Sequence, residues 1–535
     1  MKSIKKFLAV ILSMTLMLTL GTATFGAQKT LPSGKDTGSI NVTNLKPGDT
    51  VTAYQFVKAD YNEYGFTGYS AINNYVKDPV APTAQEVIDM ASNAATMTVA
   101  AEKKVATGDT EVTLNGLPVG YYLVMVTSGS ETVYSPMIAG IYYSKSATDN
   151  TLTNGAISAD SDFEIKAQKC WAKSSTPKLE KTIVTPSSKN SKGDDIAIGG
   201  KITFNLSATV PSYSKEYKKV TYKIYDIMSE GLDYVDGSMK CFIEKYENNR
   251  ENIKVTPKVN GGIIEITFDS KFILEHPGQK IQVEYQAKLN EKAGVNFDAN
   301  INKAYLEYSN NPASGSTAKT GEDKVYVYTF GIDSNLFGKS TEKWNEKTKE
   351  LIKVEEGEYQ WVETEKESGI FTTTTALEGA TFTLTNNKTK KSYTATSDKY
   401  GYLKFTGLDA GEYTLQETDA PDGFTLNDAK HTVVITAEYN QDGTLKSYTI
   451  KIDDKATSTY TATYDKGVIK TITSTKDSQG NISESAILKN SKMSFLPSTG
   501  GVGTTIFAIV GVVFVAVALG LHMILRGKSK LEQDR

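Results

Sequence analysis

Short runs of alternating apolar and polar residues, broken every few positions by Gly, Asn and Asp, most limit the folds open to this chain. Lys201-Ile-Thr-Phe-Asn-Leu-Ser-Ala208 and Lys280-Ile-Gln-Val-Glu-Tyr-Gln-Ala287 are examples. Successive side chains of a strand point to opposite faces, so each run predicts a strand with one buried face. The pattern continues for hundreds of residues, with Thr, Tyr, Val and Ile abundant and helical periodicity scarce. It predicts an all-β chain of tandem immunoglobulin-like β-sandwiches. One stretch, near Thr83 to Ala95, reads as a short inserted helix.

The two ends address the chain. Lys2, Lys5 and Lys6 precede an uncharged apolar run from Phe7 to Leu20, and small residues follow up to Ala27. That order is a secretory signal peptide, cleaved near Gly26 or Ala27. Ile506 to Leu525 is almost wholly apolar and is followed by Arg526, Lys528, Lys530 and Arg535. This reads as a transmembrane helix whose basic tail stays in the cytoplasm, leaving the bulk of the chain outside.

Between these ends lie about 470 residues, enough for about three domains. Lys173-Ser-Ser-Thr-Pro177 and the turn-rich stretch Asn310 to Gly321 read as linkers. The expected units are a signal peptide (1–27), an N-terminal sandwich (28–172), a middle sandwich (173–320), a C-terminal sandwich (321–495) with a charged insertion at Ser340 to Thr375, and a terminal segment (496–535). With 59 basic against 62 acidic residues and no basic stripe, nucleic acid is not implied. Cys170 and Cys241 are too few for a disulfide framework and read as isolated thiols. Three histidines, with no metal-ligand cluster or nucleophile elbow, leave an enzyme poorly supplied. No cofactor or metal is expected.

Several motifs carry a family resemblance. Leu496-Pro497-Ser498-Thr499-Gly500, the apolar segment and the basic tail together resemble the sorting signal of sortase substrates. Gly411-Glu-Tyr-Thr-Leu-Gln-Glu417-Thr-Asp-Ala-Pro-Asp-Gly-Phe424 resembles the E-box of Cna B-type domains, and Leu377 to Leu384 an early strand of the same domain. Pro177 to Lys181 is similar to the first strand of a pilin middle domain, Asn302 to Pro312 to its last strand, and Tyr225 to Leu232 to an acidic turn between them. As a whole the chain resembles the backbone (major) subunit of sortase-assembled Gram-positive pili.

That resemblance implies a structural role, not an enzyme. Sortase would cut between Thr499 and Gly500 and join Thr499 to a lysine of the next subunit, here Lys173, with Lys169 and Lys178 as alternatives. Within each domain a buried Lys and Asn would condense beside an acid, giving an isopeptide bond. The implied triplets are Lys181, Asp226 and Asn302 in the middle domain and Lys339, Glu417 and Asn490 in the third; the first offers none. Partners implied are a class C pilus sortase, a housekeeping sortase, other copies of the chain, minor pilins, peptidoglycan and host surface ligands. The other reading from the same motifs is a wall-anchored adhesin that is never polymerised.

Overall fold

The computed structural model describes residues 31–490 apart from 129–130, 145–162 (157 excepted), 185, 245–249, 333–337, 345–351, 355–357, 363–371, 399–400, 402, 454–455 and 476–486. The expected signal peptide, the Leu496–Gly500 motif and the apolar segment lie outside the described residues. Among the described residues no helix is long and apolar enough to cross a membrane.

Strands dominate, as alternation requires. In the first sandwich the Thr50–Asn62 strand is the centre of one sheet, flanked by Gly65–Ala71, Val99–Lys104 and Gly120–Thr127. Met137–Ser144 and Glu164–Ala167 extend it. Facing it, Thr37–Thr43 pairs in parallel with Lys169–Trp171 and antiparallel with Glu111–Pro118. The expected helix is present as Ala84–Ser92. Thr83 caps it: the Glu86 amide donates to Thr83 Oγ1 (3.2 Å) and the Thr83 amide to Glu86 Oε2 (2.7 Å), a reciprocal pair that satisfies otherwise orphaned donors.

The middle sandwich has two sheets. One contains, in order, Leu179–Ile183, Lys201–Thr209, Lys280–Leu289 and Lys240–Glu244. The other contains Gly193–Asp195, Asp323–Tyr328, Asn300–Asn311, Tyr222–Met228 and Ile263–Thr267. Two expectations change here. Tyr225 and Asp226 belong to a strand, not a turn, because every second residue of Tyr222–Met228 faces the core. Nor is Asn302 on the last strand: Asp323–Tyr328 pairs with it, Asn302 opposite Val325, so this sheet runs past residue 320. Phe330–Ile332 crosses over, pairing with Phe405–Leu408.

The third unit has an antiparallel sheet of seven strands, in which Thr381–Asn386 and Lys430–Tyr439 flank Gly411–Asp419. A second sheet places Gly338–Trp344 between Thr372–Ala376 and Ile487–Asn490. The charged stretch read as an insertion thus leaves and rejoins the fold through paired strands.

The middle and third units meet over a short strap, Gly193 to Ile198. Asp195, almost wholly buried, accepts from the Ala410 amide (2.5 Å) and the Tyr439 hydroxyl (2.7 Å), both in the third unit. Burial pushes its carboxyl up to about 6, and Asp194 and Asp409 add to the rise. A carboxyl that binds its proton more tightly in the folded state stabilises that state below its unfolded pKa and loses the contribution as pH rises through the folded one. Two pK units correspond to about 3 kcal/mol. The wild type should therefore gain stability between pH 7.5 and 5 relative to Asp195→Asn, in thermal melts at both values. Parallel curves for the two proteins would refute this role.

Candidate cross-linking sites

Lys181 lies on the edge strand of its sheet, and its main chain is fixed at both polar groups. Its amide donates to Asp323 Oδ2 (2.7 Å) and its carbonyl accepts from Lys192 Nζ (2.6 Å). Alternation then sends the side chain inward with Leu179 and Ile183. Lys181, Asp226 and Asn302 all have zero exposure. Asp226 and Asn302 come from neighbouring strands of the facing sheet, with Asp226 opposite Ala304 and Asn302 opposite Met228. The structure therefore brings together three residues far apart in sequence.

Lys181 Nζ contacts Asp226 Oδ2 directly. It also lies 5.0 Å from the Phe204 ring centroid and 5.3 Å from that of Tyr285. Desolvation lowers the lysine pKa and raises that of Asp226. Both shifts favour the uncharged pair, a free amine beside a carboxylic acid. A fourth group completes the site. Tyr285, on the Lys181 side of the sandwich and fully buried, donates to Asp226 Oδ1 (2.7 Å). Its oxygen accepts from Asn302 Nδ2 (2.7 Å) and Lys181 Nζ (3.2 Å). Asn302 Oδ1 has no hydrogen-bond partner among the described residues. Sequence reading missed Tyr285: alternation marks it as a core position but does not show where its hydroxyl points.

The third site is partly described. Glu417 and Asn490 are both buried. Asn490 Nδ2 donates to Glu417 Oε1 (3.0 Å), and Glu417 Oε2 accepts from the Asn427 amide (2.7 Å). Acid and amide touch without an intermediary, and Asn490 Oδ1 has no partner among the described residues. Lys339 pairs with Leu488 on the parallel strand beside Asn490, whose own partner is Thr341. Its side chain is outside the described ones.

Lys173 sits elsewhere, where the first sandwich hands over to the middle one. It is exposed, and its carbonyl accepts from the Ser135 amide (3.0 Å). Trp171 beside it is 68% exposed, whereas the intervening Ala172 is wholly buried. Lys169 and Lys178 are also exposed. Cys170 and Cys241 are buried free thiols in different sandwiches, and burial pushes both up to about 12. Among the described residues no acidic, His or Cys cluster could hold a metal.

The tandem β-sandwiches and the Leu496–Gly500 motif have counterparts among wall-anchored surface proteins. Residues 35–174 match the T6 antigen Ig-like domain, 360–453 the SpaA prealbumin-like fold domain, and 489–530 the LPXTG cell wall anchor motif. The chain is 26% identical over 549 residues to the trypsin-resistant surface T6 protein of Streptococcus pyogenes serotype M6, covering 93% of this chain and 96% of that one. It also shares its fold with the T6 backbone pilin of that serotype, at 21% identity and a TM-score of 0.57, covering 86% of this chain and all of the other. These matches name surface and pilus proteins, and none of them names an enzyme. Its place is the cell wall.

Proposed function

We propose that this chain is the shaft subunit of a covalently polymerised pilus, joined through Thr499 to Lys173 of the next copy and cross-linked internally between Lys181 and Asn302. The buried Lys181–Asp226–Asn302 group carries the internal bond. Burying an amine and an acid costs several kcal/mol per charge, and apolar residues would fill the space at less cost. A neutral amine held beside an amide and an acid has a chemical use: it can attack the amide carbon. Holding the two in one cavity removes much of the entropic barrier to that attack. Glu417 and Asn490 form the corresponding pair in the third unit, with Lys339 as the lysine. A class C sortase would polymerise the subunits, and a housekeeping sortase would join the base to peptidoglycan. Minor pilins and host surface ligands would be further partners.

Intact mass of the secreted ectodomain, with a blot of wall extracts, tests both halves. Each internal bond should leave the protein lighter than its sequence by one ammonia. Wall extracts should show a ladder resistant to sodium dodecyl sulfate, and Thr499→Ala should abolish both the ladder and wall attachment. A full sequence mass in folded protein would remove the internal bonds. Wall-attached monomer without a ladder would instead indicate the unpolymerised adhesin.

A further inference from the structure

We infer that Tyr285 is a catalytic residue of the middle-domain cross-link, relaying a proton from Asp226 to the amide nitrogen that leaves Asn302. The inference rests on the Lys181–Asn302 bond proposed above and adds the route by which its leaving group is protonated.

The two acid sites differ in one respect. Glu417 reaches the Asn490 amide nitrogen directly, whereas Asp226, one methylene shorter, reaches Lys181 on one oxygen and Tyr285 on the other. The Asn302 amide nitrogen donates to the Tyr285 oxygen. Tyr285 thus stands between acid and amide, filling the gap that the shorter side chain leaves. A phenol has one donor and two acceptor positions, and all three are used here: Asp226 takes the proton, while Asn302 and Lys181 donate to the oxygen. Nothing about ring packing requires that arrangement, since phenylalanine would fill the same space.

The step balances with these four groups alone. Asp226 enters as the neutral acid with its Oδ1 proton donated to the Tyr285 oxygen, the reverse of the contact with the ionised acid. The Tyr285 hydroxyl turns to Nδ2 once attack makes Cγ tetrahedral and frees the lone pair of that nitrogen. The lone pair of Lys181 Nζ attacks Cγ of Asn302, and one Nζ proton passes to Asp226 Oδ2. The Oδ1 proton moves to the Tyr285 oxygen as the Tyr285 hydroxyl proton moves to Nδ2. The Cγ–Nδ2 bond breaks and ammonia leaves with three hydrogens. Asp226 ends as the acid with its proton on the other oxygen, and Tyr285 ends unchanged. Burial holds the phenol pKa well above its ordinary value, so between transfers it remains protonated.

The test follows ammonia loss by intact mass after cell-free synthesis of the full ectodomain, with peptide mapping of the Lys181–Asn302 link. Positioned acid–base groups contribute about 10²–10⁴-fold, so Tyr285→Phe should slow bond formation in folded protein by about a hundredfold or more. Asp226→Glu added to Tyr285→Phe should restore much of the rate, because glutamate can touch the amide as Glu417 does. Bond formation at the wild-type rate in Tyr285→Phe would overturn the relay while leaving the cross-link intact. A wild type that never loses ammonia from this site would instead remove the underlying reading. Should Tyr285→Phe not fold, the double variant decides: a bond supports the relay, and folded protein without one overturns it.

Discussion

Replacing Lys181 with Met should leave the middle sandwich folded but retain the full mass of its sequence and lower its thermal stability sharply. The bond between Lys181 and Asn302 would close a loop of about 120 residues, and by analogy with a disulfide it removes about 5 kcal/mol of unfolded-state entropy. For a unit of this size that corresponds to roughly 10–20 °C in Tm. Methionine matches the lysine stem in length and packs beside Phe204 without a charge, so the loss reports the cross-link itself. Asp226→Ala should do worse. It also abolishes the reaction, but it leaves an amine buried without its acid, which adds about 3–5 kcal/mol. Calorimetry with intact mass on both variants checks this order. Equal melting of Lys181→Met and wild type would show that no covalent bond stabilises this sandwich.

The cross-linking groups were unevenly legible in the sequence. Alternation in Lys201 to Ala208 and Lys280 to Ala287 was enough to expect strands, because a strand's period shows directly in its residue order. Thr83 and Glu86 have the spacing of a capping box, which agrees with the one helix expected at that point. Asp226 was assigned to a turn by the likeness of Tyr225 to Leu232 to a family's acidic turn. Its actual strand owes its place to buried neighbours such as Ile224 and Met228, and the turn itself follows at Glu230–Gly231. The boundary at 320 was set by turn-forming residues alone. Pairing of Asp323–Tyr328 with Asn300–Asn311 is a long-range choice that local composition does not encode. Tyr285 was hidden for the same reason: its hydroxyl matters only once two sheets bring Asp226 and Asn302 to it.

Lys173→Arg should give a protein that folds, reaches the wall and remains a monomer, with the high-mass ladder gone. The backbone at this position is tied down on both sides, by the Ala172 amide to Thr43 and by the Ser135 amide to the Lys173 carbonyl. The side chain nevertheless is exposed, so arginine can replace it without disturbing either core. Arginine keeps the positive charge and much of the reach, but a guanidinium does not deprotonate in proteins and cannot open an acyl thioester on Thr499. The neighbouring Trp171 offers apolar surface with a polar handle beside the lysine, a suitable seat for the transferring enzyme. Trp171→Ala should therefore slow polymerisation while Lys173 remains competent. Lys169 and Lys178 are exposed as well, which makes the comparison decisive. Lys169→Arg and Lys178→Arg should leave the ladder in place. A ladder that survives Lys173→Arg would send the assignment to one of those two, to be read from the branched peptide carrying Thr499.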